Sequence, residues 1–438
     1  MITDPTLLAG AVLPPPAQLP ERIGFISTRF HGTDGVSLEA AKWAKIFESF
    51  GSTCYWMGGL LDTPPEKSYL DELAYFRHPE IEELHLALYG VTTRKRAVSD
   101  KIDELKKELK NSIYAFIEKF QIELLVPQNI LAIPMHIPLG LAMSEVIAET
   151  GIPTIAHHHD FVWERERFTL NAVMDYLGAA FPPSLPHVEH VVINSMAQKE
   201  LARRIGQPST VIPNVLDFET PPPGIDEYSA DFRAEVDLEE DDLIFLQPTR
   251  IVARKGIEHA IDLLHRLRNP KAVLVISHPA GDEGDDYANL LIERIQDAGI
   301  RSRFISDRVG EERGLDASGK KIFTLFDVYP HADLVTYPSL YEGFGNAFLE
   351  AIYFGKPVLV NEYAVFARDI APHGFKTITM SQVVSRQVVD QTEEILSNSE
   401  LRSEWEKTNY ELGLKFFSHA VARRKLLARM AVLFGEGS

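Results

Sequence analysis

Two glutamates, Glu342 and Glu350, frame the stretch of this 438-residue sequence best equipped for chemistry, Pro338-Ser-Leu-Tyr-Glu-Gly-Phe-Gly-Asn-Ala-Phe-Leu-Glu-Ala-Ile-Tyr-Phe-Gly-Lys-Pro357. Gly343 and Gly345 let the loop turn with its amides outward, and Asn346 is placed to cap a helix over 347–354 that Gly355 ends. Amides converging at a helix start suit an anionic or polyhydroxyl ligand. With Glu342 on the loop and Glu350 about one turn into the helix, the two carboxylates can grip different hydroxyls of one long ligand. Glutamates at this spacing are common. The setting makes the pair specific: an aromatic-rich glycine loop after a strand and before an apolar helix.

Three further clusters carry reactive residue types. Arg29-Phe-His31-Gly32-Thr-Asp34-Gly35 joins a strand at 22–28 to an amphipathic helix at 36–50. Ligands bind at that edge of an α/β sheet; Gly32 and Gly35 permit close backbone approach, and Arg29, His31 and Asp34 supply polar contacts. Neither a dinucleotide fingerprint nor a Walker loop is present. His157-His158-His159-Asp160 follows a strand at 153–156 and runs into Phe161-Val-Trp-Glu164-Arg165-Glu-Arg167. Successive side chains of an extended chain alternate faces, so only His157 and His159 can converge, and metal binding is the lesser reading. Glu164, Arg165 and Arg167 either line a cleft or pair among themselves. Arg250 and Lys255 lie in Pro248-Thr-Arg-Ile-Val-Ala-Arg-Lys-Gly256, between a strand at 243–247 and a helix at 257–268. Cations beside the positive end of a helix are electrostatically unfavourable, which points to function.

Positioning these groups takes strands and helices alternating in two blocks. Strands at 122–126, 153–156, 191–193 and 210–212 complete the first; strands at 243–247, 273–277, 303–306, 332–337 and from 358 build the second. Ile102, Leu105, Leu109, Ile113, Phe116, Ile117 and Phe120 recur at helical spacing, so 99–120 is one long helix, with Arg94-Lys95-Arg96 as its solvated entry or, as the lesser reading, a contact for an anionic acceptor. Pro213-Asn-Val-Leu-Asp-Phe218 and then Pro221-Pro-Pro-Gly224 mark a boundary. The division expected is a loose arm at 1–20, a lobe at 21–218, a second lobe at 219–405 and a terminal helix at 406–438. Residues 58–98 show no pattern beyond short helices. Asp282, Glu283, Asp285 and Asp286 read as a solvated turn.

Glu342-Gly-Phe-Gly-Asn-Ala-Phe-Leu-Glu350 resembles the paired-glutamate motif of retaining glycosyltransferases of family 4, and Arg250 with Lys255 resembles that family's phosphate clamp. The resemblance implies an α/β fold of the GT-B type, two Rossmann-like lobes facing a central cleft, with the last helix crossing back to the first lobe. It implies a hexosyltransferase moving mannose or glucose from a nucleotide sugar. Glu342 is then expected on donor-sugar hydroxyls and Glu350 on ribose. Arg250, Lys255 and the Gly343, Phe344, Gly345 and Asn346 loop fall to the rest of the donor, and Gly32 and Gly35 approach its phosphates. His159, next to Asp160, fits the family's sugar-side histidine, with His157 second. Glu342, His159, Arg250 and Lys255 form the expected catalytic group. The opening Ile23-Gly-Phe-Ile-Ser-Thr-Arg-Phe-His-Gly-Thr-Asp-Gly-Val-Ser-Leu-Glu-Ala40 is similar to mannosylglucosyl-phosphoglycerate synthases. That implies GDP-mannose as donor and a small anionic acceptor, such as a phosphorylated glyceric-acid glucoside or a sugar phosphate, met by Arg29, His31, Asp34, His157 and Arg165. The alternatives are a lipid or polysaccharide acceptor, an epimerase, and a non-catalytic nucleotide-sugar binder.

Composition narrows the partners. Lys and Arg number 44 against 63 Asp and Glu, a formal charge of −19, which disfavours nucleic acid and an anionic membrane. Cys54 is the single cysteine, so no internal disulfide or cysteine zinc cluster forms, and the cytoplasm is the expected compartment. The apolar residues 7–13 lack a preceding Lys or Arg and run into Pro14-Pro15-Pro16, a poor signal or membrane span. No cofactor is required; Mg2+ can accompany the donor diphosphate. Self-association is left open.

Overall fold

Gly24 sits in the middle of the first strand, and a Cβ there would come within 2.7 Å of the Phe116 ring. The missing side chain lets the helix Arg96–Phe120 lie directly on the strand. Its stripe of Ile102, Leu105, Leu109, Ile113, Phe116 and Phe120 is buried, as the sequence periodicity requires. The computed structural model describes residues 19–32, 34–280 and 286–435. The chain divides into one unit of Met1–Pro213 with Ala420–Ser438 and another of Asn214–His419. Residues 1–18 of the expected arm lie outside the described residues, as does the acidic turn except Asp286, which opens the helix Asp286–Ala298.

In the first unit, strands β1 (Arg22–Ile26), β2 (Thr53–Gly58), β3 (Ser68–Leu70), β4 (Leu124–Pro127), β5 (Thr154–His158), β6 (Val188–Val192) and β7 (Thr210–Val211) form one sheet in the order β3-β2-β1-β4-β5-β6-β7. Every pairing is parallel. The near-continuous apolar strands follow from helices covering both faces. β2 and β3 had not been assigned from sequence. The latter lies in the stretch without a pattern, which also contains the helix Pro79–Leu88.

The second unit repeats the winding. Strands β8 (Leu243–Gln247), β9 (Ala272–Ile276) and β10 (Arg301–Phe304) run outward; β11 (Val309–Gly310), β12 (Gly314–Leu315) and β13 (Lys321–Thr324) form a small separate sheet; β14 (Leu334–Tyr337), β15 (Val358–Asn361) and β16 (Ile378–Met380) return. The main sheet is ordered β10-β9-β8-β14-β15-β16 and is again parallel. Both units are thus parallel-sheet Rossmann-like domains.

The sequence boundaries need correction. Asn214 to Phe218 belong to the second unit, because the Phe218 ring fills the space that a Cβ on Gly413 would need, at 2.5 Å, and the Phe218 carbonyl accepts the Tyr410 hydroxyl at 2.8 Å. The terminal helix is two helices, Ser399–Phe417 and His419–Phe434, parted at an extended Ser418 where Leu216 N donates to Phe417 O at 2.9 Å. Among the described residues no helix is long and apolar enough to cross a membrane.

Candidate active site

In the second unit the chain winds outward from β8 and returns at β14, so the loops following these neighbouring strands emerge side by side at the C-terminal edge, where such sheets bind ligands. The loops touch. Leu340 N donates to the Arg254 carbonyl at 2.8 Å, and Gly256, at φ +60°, lies so near Pro338 that a Cβ would meet its carbonyl oxygen at 2.6 Å.

An ion cluster results. Lys255 Nζ donates to Glu342 Oε1, while Arg254 NH1 donates to Oε2 at 3.0 Å and to the Tyr341 carbonyl at 3.3 Å. Lys255 and Glu342 are 9 % and 8 % exposed. Burial pushes the Glu342 carboxyl upward, but Lys255 and Arg254 together outweigh it and hold it below the usual carboxylate range. Burial loosens the Lys255 proton, and the charges of Arg254 and Arg250 add to this against the pull of Glu342. Two cations on one carboxylate leave surplus positive charge, which suits an anionic ligand group. Arg250 is exposed nearby. His278, which sequence reasoning passed over, stands beside these cations with Nδ1 2.9 Å from Ser277 Oγ. Burial and the charges of Arg250 and Lys255 bring it to about 4.

The helix after the loop is Asn346–Tyr353, and its cap is Gly345, not Asn346. Gly345 holds φ +139°, and a Cβ there would lie 2.5 Å from the Tyr363 hydroxyl. Asn346 instead turns its Oδ1 to Asn214 Nδ2 at 2.7 Å. Phe344, expected on the donor, is buried with its ring edge-on to Phe417, so its side chain serves the core. Glu350 Oε2 accepts the hydroxyl of buried Tyr329 at 2.8 Å.

In the first unit the equivalent winding places the loops after β1 and β4 together. The three histidines separate as strand alternation demands. His157 is fully buried, stacked on Trp43 with ring centroids 3.9 Å apart, its Nδ1 3.0 Å from Gln128 Oε1. His158 is buried against His190, Nε2 to Nδ1 2.9 Å. His159 alone is partly exposed, its Nε2 3.2 Å from the same Gln128 oxygen. Burial, opposed by Asp160 and Asp34, brings His159 to about 4, so it is neutral at physiological pH. Asn129, in the left-handed region at φ 62°, turns the adjacent chain, accepting the amides of His159 and Asp160 at 3.0 and 3.3 Å while donating to Asp160 Oδ1 at 2.6 Å. Gln128 and Asn129 carried no sequence signal beyond their place at a strand end.

Several expected acceptor contacts are otherwise engaged. His157 is shut off from any ligand by burial. Asp34 caps the helix Gly35–Glu48: Oδ1 accepts Val36 N at 3.0 Å and Ser37 N at 3.4 Å, and Oδ2 accepts Ser37 Oγ at 2.5 Å. Arg165 is tied to Asp160 Oδ2, its Nε at 2.6 Å. Arg94 clasps Asp175 with both terminal nitrogens, at 2.7 and 2.5 Å, so it braces the fold. Arg29 lies 3.5 Å from Asp34 and over the Phe76 ring. His31 is exposed, and Gly32 N donates to Asp62 Oδ2 at 2.8 Å.

Residues 319–412 match the family described as Glycosyl transferases group 1. The chain is 35 % identical over 391 residues to the mannosylglucosylglycerate synthase of Petrotoga mobilis, covering 82 % of this chain and 86 % of that protein. It is 31 % identical over 430 residues to the mannosylglucosylglycerate synthase of Thermotoga maritima, covering 91 % and 96 %. Its fold is similar to that of sucrose-phosphate synthase from Thermosynechococcus elongatus, with a TM-score of 0.65 at 16 % identity over 95 % of this chain and all of the other.

Proposed function

Because this chain belongs to the group 1 glycosyl transferases, we propose that it transfers mannose from GDP-mannose to a glucosylglycerate, with retention at the anomeric carbon. The observation that carries this reading is the Glu342 carboxylate held between Lys255 and Arg254 with positive charge in surplus. A nucleotide sugar presents the complement, an anionic diphosphate next to a set of hydroxyls. The names of the two relatives supply the mannosyl, glucosyl and glycerate parts. They mention no phosphate, so the acceptor's negative charge is assigned to a carboxylate, which narrows the phosphorylated acceptor expected from sequence.

In this reading Arg250, Lys255 and the amides of the Gly343 to Gly345 loop take the diphosphate. Glu342 and His159 take sugar hydroxyls, and Glu350 the ribose. The bond from the anomeric carbon to the phosphate oxygen breaks with its electron pair left on that oxygen. The acceptor hydroxyl oxygen bonds the same face of the carbon and yields its proton to the departing phosphate. The cations stabilise the charge that grows there, and the fixed hydroxyl contacts align the reacting atoms. The described residues contain no group of three or more His, Cys, Asp or Glu arranged for a metal ion. In this reading any Mg2+ accompanies the donor diphosphate, and EDTA is expected to slow turnover without abolishing it.

The test incubates the protein with a panel of nucleotide sugars and follows free nucleoside diphosphate, with and without glucosylglycerate or its phosphorylated counterpart. Release from GDP-mannose that rises sharply with glucosylglycerate supports the reading. A response confined to the phosphorylated acceptor, or to another donor, replaces that part of it. Inverted anomeric configuration in the product refutes retention.

A further inference from the structure

The ion cluster contains a residue that the donor contacts leave without a role. Arg254 directly precedes Lys255, yet the two side chains reach different oxygens of Glu342, Lys255 on Oε1 and Arg254 NH1 on Oε2 at 3.0 Å. The aim of Arg254 is set independently of Lys255. Its NH1 also donates to the Tyr341 carbonyl at 3.3 Å, and its own carbonyl accepts Leu340 N at 2.8 Å. Lys255 is buried, while the Arg254 side chain is 31 % exposed.

These positions imply a division of labour. An ammonium is a point charge on a flexible stem, so a diphosphate that approaches Lys255 takes a share of its three donors and loosens its hold on Glu342. The carboxylate would then sit buried with less compensation at the moment it must hold a sugar. A guanidinium stays charged at every working pH, and here its NH1 is shared between Glu342 Oε2 and the Tyr341 carbonyl, which fixes the direction from which it meets the carboxylate.

We propose that Arg254 is a positioning residue for Glu342: it keeps the carboxylate ionised and aimed at the donor sugar while Lys255 turns to the diphosphate, so that separate cations serve sugar recognition and phosphate neutralisation. The ligand named here rests on the proposed function above; the hold on Glu342 does not. Replacing Arg254 therefore affects contacts to the sugar and spares contacts to the nucleotide.

Two measurements on the full chain test this with Arg254→Gln and Arg254→Lys. The first follows the Glu342 carboxyl carbon by 13C NMR through an acid titration, with the signal assigned by its loss in Glu342→Gln. The midpoint is expected to rise by about one unit in Arg254→Gln and to return most of the way in Arg254→Lys. An unmoved midpoint overturns the proposal whatever the protein transfers. The second compares affinity for GDP and for GDP-mannose. Arg254→Gln is expected to keep GDP affinity within about 2-fold while weakening GDP-mannose about 10-fold, with Arg254→Lys in between. Equal losses for both ligands overturn the proposal and make Arg254 part of the phosphate clamp. Should the unaltered protein bind neither, the donor reading fails, and the titration still decides the role of Arg254.

Discussion

The hydroxyl of Tyr329, a residue with no exposed surface, donates to Glu350 Oε2 at 2.8 Å. Tyr329 lies just ahead of β14 and Glu350 on the helix that follows it, so the β14 crossover is braced at the carboxylate assigned to ribose. Tyr329→Phe removes one hydrogen bond and little volume. Stability is expected to fall by about 1 kcal/mol, and nucleoside diphosphate affinity by about 3- to 10-fold as Glu350 loses its aim. Calorimetric titration with GDP checks this. Unchanged affinity would separate Glu350 from the nucleotide.

Gly256 is needed twice over, for its φ of +60° and for the 2.6 Å that a Cβ would leave to Pro338 O. The obstructing atom is backbone and cannot swing away. Gly256→Ala is expected to cost roughly 1–3 kcal/mol in urea unfolding and to push the β8 and β14 loops apart. A raised donor KM should accompany the lowered urea midpoint.

Lys255→Ala takes a buried cation from the proposed leaving-group side and leaves Arg254 as the cation still paired with Glu342. With donor saturating, kcat is expected to drop about 10²- to 10³-fold, the range for losing one stabiliser of developing charge. Single-turnover release of nucleoside diphosphate reads this directly. Full rate in the variant would remove Lys255 from the phosphate.

His136 and His190 are each 2 % exposed, and burial is the main cause holding both at about 4. Between their ordinary value of 6.5 and about 4, the unfolded chain binds a proton at each site that the folded chain refuses. Stability therefore declines as pH falls through that window, by up to roughly 3 kcal/mol per histidine. Urea midpoints at about pH 7.5 and about pH 5 should differ less in His190→Phe than in the unaltered protein. An identical drop in both would show that His190 is charged when folded.

Much of this architecture is legible in residue order. β8 is read from its apolar run at the observed bounds, and the helix Arg96–Phe120 from its stripe, because burial imposes a period that composition records. β2 and β3 escaped because Thr53–Gly58 mixes residue types without a run of Val, Ile or Leu, and because Ser68–Leu70 is only three residues held by pairing to its neighbour. Glu342 and Lys255 each stood out through glycine punctuation and charge beside a helix start.

Their partnership did not, and neither did Arg254. Lys255 and Glu342 are 87 residues apart, and they meet because β14 pairs with β8 rather than with β10, the strand before it in the main sheet. The same holds for the losses. His157 stood second to His159 as a ligand contact until Trp43, from a helix far earlier in the chain, covered it. Asn346 looked like a cap until Gly345 took that place at a φ only glycine readily holds. Local order specifies which residues can turn, cap or carry charge, since those are short-range properties of backbone and side chain. Which of them keep a free face for a ligand depends on the packing of distant segments, and that is a property of the folded sheet.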